Sequence, residues 1–111
     1  MTFDEVDCIL DSLYWSEKNI ASTKGKEYTQ GDRLDNFKRI AGELGISPKK
    51  VLWVYLKKHL DSIAYYIKEE KVLSEPIDGR ILDARVDLCL LQSLIIEERR
   101  SKEMGDQHGK N

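Results

Sequence analysis

The stretch from Ile77 to about Arg100 limits what this chain can fold into more than any other part of it. Ile77, Ile81, Ala84, Leu88, Leu91 and Ile95 recur in alternating steps of four and three, a heptad-like seam. Leu82, Val86, Cys89 and Ile96 form a second seam beside it, and Leu90 with Leu94 adds a third. One neighbouring helix cannot cover an apolar surface this wide. Such a helix must be central to a bundle, pack against another subunit, or do both, and we take it to do both. The expected architecture is an all-α, four-helix bundle-like domain that oligomerises through its C-terminal helix.

Three further helices precede it. The first is expected from about Thr2 to Lys18, opened by the capping-box spacing of Thr2 and Glu5. Phe3, Val6, Ile9, Leu10, Leu13 and Tyr14 recur there at helical intervals. Residues Asn19 to Gly31 show no apolar period and read as a long loop. Asp32 can cap a second helix that carries Leu34, Phe37, Ile40, Ala41 and Leu44, and Gly45 stops it. Ser47-Pro48 opens the third, with a capping hydroxyl and a proline at the first helical position. Its apolar stripe is Val51, Leu52, Tyr55, Leu56, His59, Leu60, Ile63 and Ile67, and it should end near Lys68 to Lys71. Ser74, Glu75 and Pro76 reset the chain before the fourth helix. Residues 1–100 thus form one domain, and the polar, glycine-containing 101–111 a flexible tail.

Composition excludes several classes. The 111 residues suit one domain. Lysine and arginine number 18 against 20 acids, so binding of nucleic acid through bulk charge is not expected. The chain opens Met1-Thr2-Phe3-Asp4-Glu5, where a secretory segment needs basic residues and then an apolar run, and no run suits a membrane span. The reading is a cytoplasmic protein. Cys8 and Cys89 fall within apolar helical patterns and are expected to be buried free thiols. With only these, His59 and His108, a structural zinc site is not credible.

Residues suited to chemistry gather in three places. Asp83 and Asp87 share one face of the last helix, with Arg80 three residues before. Like charges at this spacing repel, so a metal ion, Lys58 or an arginine of the second helix should lie opposite. An ordinary structural ion pair with Lys58 or Arg39 is an equally open reading. The third helix offers Lys58, His59 and Asp61, a lysine near a core needing a partner or a ligand anion. His59, inside the stripe, also reads as a satisfied core histidine. The segment Tyr28 to Arg39 leads into a helix N-terminus, where amides favour an anion and Arg33, Lys38 and Arg39 add phosphate-binding donors. No nucleophile elbow, phosphate-loop glycine pattern or dinucleotide fingerprint occurs.

Taken together, Tyr28…Gly31-Asp32-Arg33-Leu34-Asp35-Asn36-Phe37-Lys38-Arg39, Lys58-His59-Leu60-Asp61-Ser62-Ile63 and Ser74-Glu75-Pro76-Ile77-Asp78-Gly79-Arg80-Ile81-Leu82-Asp83-Ala84 resemble small helical bacteriophage proteins. They are similar to the nucleotide-modification-associated domain family and, more distantly, to all-α nucleotide pyrophosphohydrolases of the MazG type. The resemblance spans about residues 28–98 and implies an all-α fold, a phage setting and a nucleotide-related ligand. Arg33, Asn36 and Lys38 match its arginine-x-x-asparagine-phenylalanine-lysine block. Lys58, His59 and Asp61 match the lysine-histidine-x-aspartate block, and Arg80 with Asp83 the arginine-x-x-aspartate block. Val86-Asp87 stands where relatives have asparagine-tyrosine, and the paired glutamates that hold magnesium in MazG-type enzymes are not found.

These departures weigh against metal-assisted cleavage, which needs several carboxylates around the cation, and they leave binding intact. The expectation is therefore a non-catalytic, homo-oligomeric nucleotide binder, without cofactor, that sequesters a cyclic or ADP-ribose-type signal of host defence. Its pocket residues are Tyr28, Arg33, Asn36, Lys38, Lys58, His59 and Arg80. The alternatives are a magnesium-dependent pyrophosphohydrolase, with the metal on Asp83 and Asp87, and a protein-interaction module built on the apolar last helix.

Overall fold

A computed structural model describes residues 1–28, 31–71 and 76–109, all of its regular structure being helical. The elements are α1 (Phe3–Tyr28), α2 (Asp35–Leu44), α3 (Pro48–Glu69) and α4 (Ile77–Gly109), and no strand occurs among the described residues. The described residues are all-α and form four helices, as the periodicity implies.

Local chemistry sets most of the boundaries. The Thr2 amide donates to the Glu5 carboxylate at 2.8 Å, and the Glu5 amide donates to the Thr2 hydroxyl at 3.1 Å. That reciprocal box satisfies two donors that the first turn would otherwise leave unpaired. Gly45 takes a left-handed conformation, φ 69°, and closes α2. The Ser47 hydroxyl accepts from the Lys49 amide, and Pro48 occupies the first turn of α3. At the far end Glu70 adopts φ 58° and its amide donates to the Tyr66 carbonyl.

Three expectations about the elements change. Residues 19–28 are helical, because Ile20 and Ala21 prolong the face begun by Leu13 and Glu17 and pack against the core; Thr29 and Gln30 lie outside the described residues. Asp32 does not cap α2 itself. Its carboxylate accepts from the Leu34 amide at 2.9 Å, building the turn before the helix, whose cap position holds Leu34 with no side-chain bond. α4 continues past Arg100 to Gly109. Ser74 and Glu75 lie outside the described residues.

α3 and α4 form an antiparallel hairpin, since Lys49 pairs with Glu98 at one end and His59 approaches Asp87 further along. α2 covers its side, and the core comes from these three helices and the turn before α2: Leu34, Phe37, Ala41, Val51, Leu52, Val86, Leu90 and Leu94. α4 is therefore central, packed on α3 and carrying α1, while Ile81, Leu88 and Ile96 of its seams stay exposed.

α1 is the exception. It packs mainly on α4, fastened by Glu17 to Arg85 at 2.8 Å, and no residue from Phe3 to Thr23 is buried. Phe3, Val6, Ile9, Leu10 and Tyr14, expected on a core-facing side, are exposed. So are Leu60 and Ile67 of α3, because the inner face of that helix turns through Leu52, Leu56, His59, Ile63 and Tyr66 instead. Both cysteines are exposed rather than buried. The molecule is elongated, with a radius of gyration of 17.2 Å against about 13 Å for a compact chain of this length.

Candidate functional site

The α2–α3–α4 junction holds a cleft of about 420 Å³ with an apolar floor of Phe37, Ile40, Tyr55, Val86 and Leu90. Phe37 meets the Tyr55 ring edge-on with centroids 5.8 Å apart, which fixes two sides of that floor. Arg33, Asn36 and Arg39 enter the cleft from α2 and the turn before it, His59 from α3, and Asp83 and Asp87 from α4. Arg33, Asn36 and Arg39 recur at three-residue steps and so lie along one side of α2 and its lead-in turn. Asp83 and Asp87 are one turn apart on α4. Two cations and two anions thus line one cleft that has an apolar base.

Arg33, Asn36 and His59 are only partly engaged by the protein. Arg33 donates its Nε–H to the Ala21 carbonyl at 3.1 Å, tying α1 to the site and leaving two terminal nitrogens for an acceptor in the cleft. His59 Nε2 stands 3.5 Å from Asp87 Oδ2, too long for a good hydrogen bond. His59 Nδ1 and Asn36 Oδ1 are buried with no hydrogen-bond partner. A buried polar atom left in this way costs about 1–3 kcal/mol, which a ligand group or a water molecule relieves.

Other expected site residues fall elsewhere. Lys38 points away from the cleft, holding Asp32 at 2.7 Å and Glu97. These two acids raise the Lys38 ammonium above its ordinary value, and Lys38, with the Leu34 amide, lowers the Asp32 carboxyl. Lys38 instead lines a smaller depression with Lys49 and Glu98, whose carboxyl Lys49 holds down. Lys58 is exposed and outside the cleft, because one residue from His59 is over a quarter turn round the helix. Arg80 is half-buried early in α4 and does not line the cleft. Tyr28 ends α1, and its side chain lies outside what the structure describes. Asp83 and Asp87 do line the cleft, but among the described residues no three His, Cys, Asp or Glu side chains are grouped to hold a metal.

The structure also brings in residues the expected list lacked. Arg39 belongs to the cleft, and its three-residue spacing from Asn36 is the signal that marks it. Tyr55 and Phe37 supply aromatic surface that their place in the stripes did not distinguish from ordinary packing. A second, shallower cleft of about 630 Å³ runs between α1 and α4 past Tyr14, Glu17, Lys18, Cys89 and Ser93, and Arg33 and Leu90 separate the two.

Comparison with protein-family models, with curated proteins and with solved structures returns no match. Among the described residues no helix is long and apolar enough to cross a membrane.

Proposed function

We propose that this protein binds a phosphorylated nucleotide in the α2–α3–α4 cleft and holds it without chemical change. The observation that carries the reading is the convergence of Arg33, Asn36, Arg39, His59, Asp83 and Asp87 over an aromatic floor. Arginine forks suit phosphate oxygens, and such charge-assisted bonds are about twice as strong as neutral ones. Asn36 and the two carboxylates suit the hydroxyls of a ribose or the amino edge of a base, while Tyr55 and Phe37 offer an apolar surface to the base. In a bacteriophage, the setting the resemblance implies, a cytoplasmic binder of this kind acts by sequestering a cyclic or ADP-ribose-type signal of host defence. The same reading includes a homo-oligomer, to which α4 offers its exposed Ile81, Leu88 and Ile96.

A magnesium-dependent pyrophosphohydrolase is the second reading, and the placing of Asp83 and Asp87 in one cleft is what favours it. Two carboxylates are few for the octahedral oxygen shell of magnesium, so binding ranks first. Titration calorimetry with nucleoside phosphates, cyclic nucleotides and ADP-ribose tests both. The expected result is heat that Arg33→Ala and Arg39→Ala remove and Lys58→Ala leaves, with the nucleotide recovered intact. A silent panel, with no bound mass on the purified protein, would overturn the reading; recovered cleavage products would favour the second.

A further inference from the structure

The apolar surface that the fold leaves uncovered is concentrated on two helices and is patterned. On α1, the exposed Phe3, Val6 and Leu10 follow the three–four spacing of a coiled-coil seam that runs on into the half-buried Leu13, and Phe3 is 92% exposed. On α3, Trp53, Leu60 and Ile67 recur every seven residues along one outward line, with Lys57 and Ala64 at the intervening positions beside it, Trp53 at 51% and Ile67 at 72% exposed. The charges beside the stripes are opposite. Asp4, Asp7 and Asp11 run along one flank of the α1 stripe, and no lysine or arginine occurs before Lys18. Lys50, Lys57 and Lys68 run along the matching flank of α3, with Asp61 the one acid among them, paired to Lys57.

We propose that α1 of one copy packs against α3 of a second copy, and α3 of the first against α1 of the second, in a closed two-fold dimer. Three observations select this occupant. The chain exposes 8594 Å², about 2,300 Å² more than the roughly 6,300 Å² of a compact monomer of its mass. Although the extended end of α4 contributes part of that excess, it is ample for the roughly 800 Å² per chain of a standard interface. Second, α1 contributes nothing buried from Phe3 to Thr23, and a helix with so little of its surface packed is marginal in water. Third, α1 against α1 would oppose acids with acids, while α1 against α3 opposes acids with lysines. Both charged flanks lie clockwise of their stripes when viewed from the helix N-terminus, so they meet when the two helices run antiparallel.

This sharpens the homo-oligomer of the proposed function and is independent of the ligand. Light scattering on the full chain should give a particle of twice 12.9 kDa that dissociates as salt rises. Leu10→Asp in α1 and Ile67→Asp in α3, both at exposed positions, should each yield folded monomers by circular dichroism, and mixing the two should restore a dimer through the one intact contact. Asp4→Lys with Asp11→Lys should abolish association, and adding Lys57→Glu with Lys68→Glu should restore it. A dimer that survives these α1 and α3 changes but is lost with Leu88→Asp overturns the pairing and keeps an oligomer through α4. A monomer at every concentration and salt overturns both. Tighter association after the aspartate-to-lysine changes alone would instead indicate α1 pairing with itself.

Discussion

Glu17→Ala should loosen α1 selectively. α1 buries nothing from Phe3 to Thr23, so its attachment rests on a few contacts: Ile20 and Ala21 at the core's edge, the Arg33–Ala21 bond, and Glu17 on Arg85. The Glu17 and Arg85 side chains are 19% and 31% exposed, between the surface pairs worth up to about 1 kcal/mol and charged hydrogen bonds worth about 1.5–3 kcal/mol. Arg85 Nε is already buried without an acceptor, so losing Glu17 leaves that guanidinium poorly satisfied at two nitrogens. A loss of about 1–2 kcal/mol follows, which is about 5- to 30-fold in the opening equilibrium of α1. Hydrogen exchange reads it directly: amides of residues 13–21 should lose protection by that factor while those of 86–94 in α4 keep theirs. Arg85→Leu in the same chain should recover part of the loss, because it removes the unpaired cation. Equal loss of protection in both helices, or none in α1, would refute the claim that α1 is a separately attached element.

Other outcomes follow from the same geometry. Leu52→Ala, at a fully buried position, should cost about 3–5 kcal/mol in urea unfolding, and a loss below about 1 kcal/mol would contradict the core described. Gly45→Ala should cost roughly 1 kcal/mol, since φ 69° strains any side chain there even though the space beyond is open; a thermal melt measures it. The folded Asp32 carboxyl titrates below its ordinary 3.8, so its share of stability is present above that value and lost as pH falls through the lower folded one. Melting temperatures of the wild type and Asp32→Asn should therefore differ at neutral pH and converge in acid. Arg33→Ala should weaken nucleotide binding about 10- to 150-fold, with Arg33→Lys intermediate, by calorimetry.

The parts of this fold that were legible in the sequence are those set by neighbours in the chain. Thr2 with Glu5, Gly45 and Ser47-Pro48 do what their local chemistry requires, and the three seams of α4 foretell a central helix. The end of α1 was obscured because Ser22, Thr23 and Gly25 are weak helix formers, and the packing of Ile20 and Ala21 on residues far along the chain overrides them. Lys38 was misjudged for a similar reason: its second partner, Glu97, is on another helix, and no local spacing reveals that pair. Lys58 and His59 are adjacent in sequence and diverge in space by the geometry of a helix alone. The cleft itself was half legible. Arg33, Asn36, His59, Asp83 and Asp87, singled out on separate segments, line one cleft, and Arg39, marked in the sequence only as a phosphate-type donor or ion-pair partner, lines it as well.

The claim on which the account rests is that this one cleft, and not the α1–α4 groove or the exposed lysines, receives the ligand. Titrating the ¹⁵N-labelled protein with the nucleotide panel tests it residue by residue. The account predicts shifts concentrated at Asn36, Arg39, Tyr55, His59, Asp83 and Asp87, with Lys38 and Lys58 unmoved. Shifts that gather along α1 and Cys89, or no shifts with any nucleotide, would contradict it.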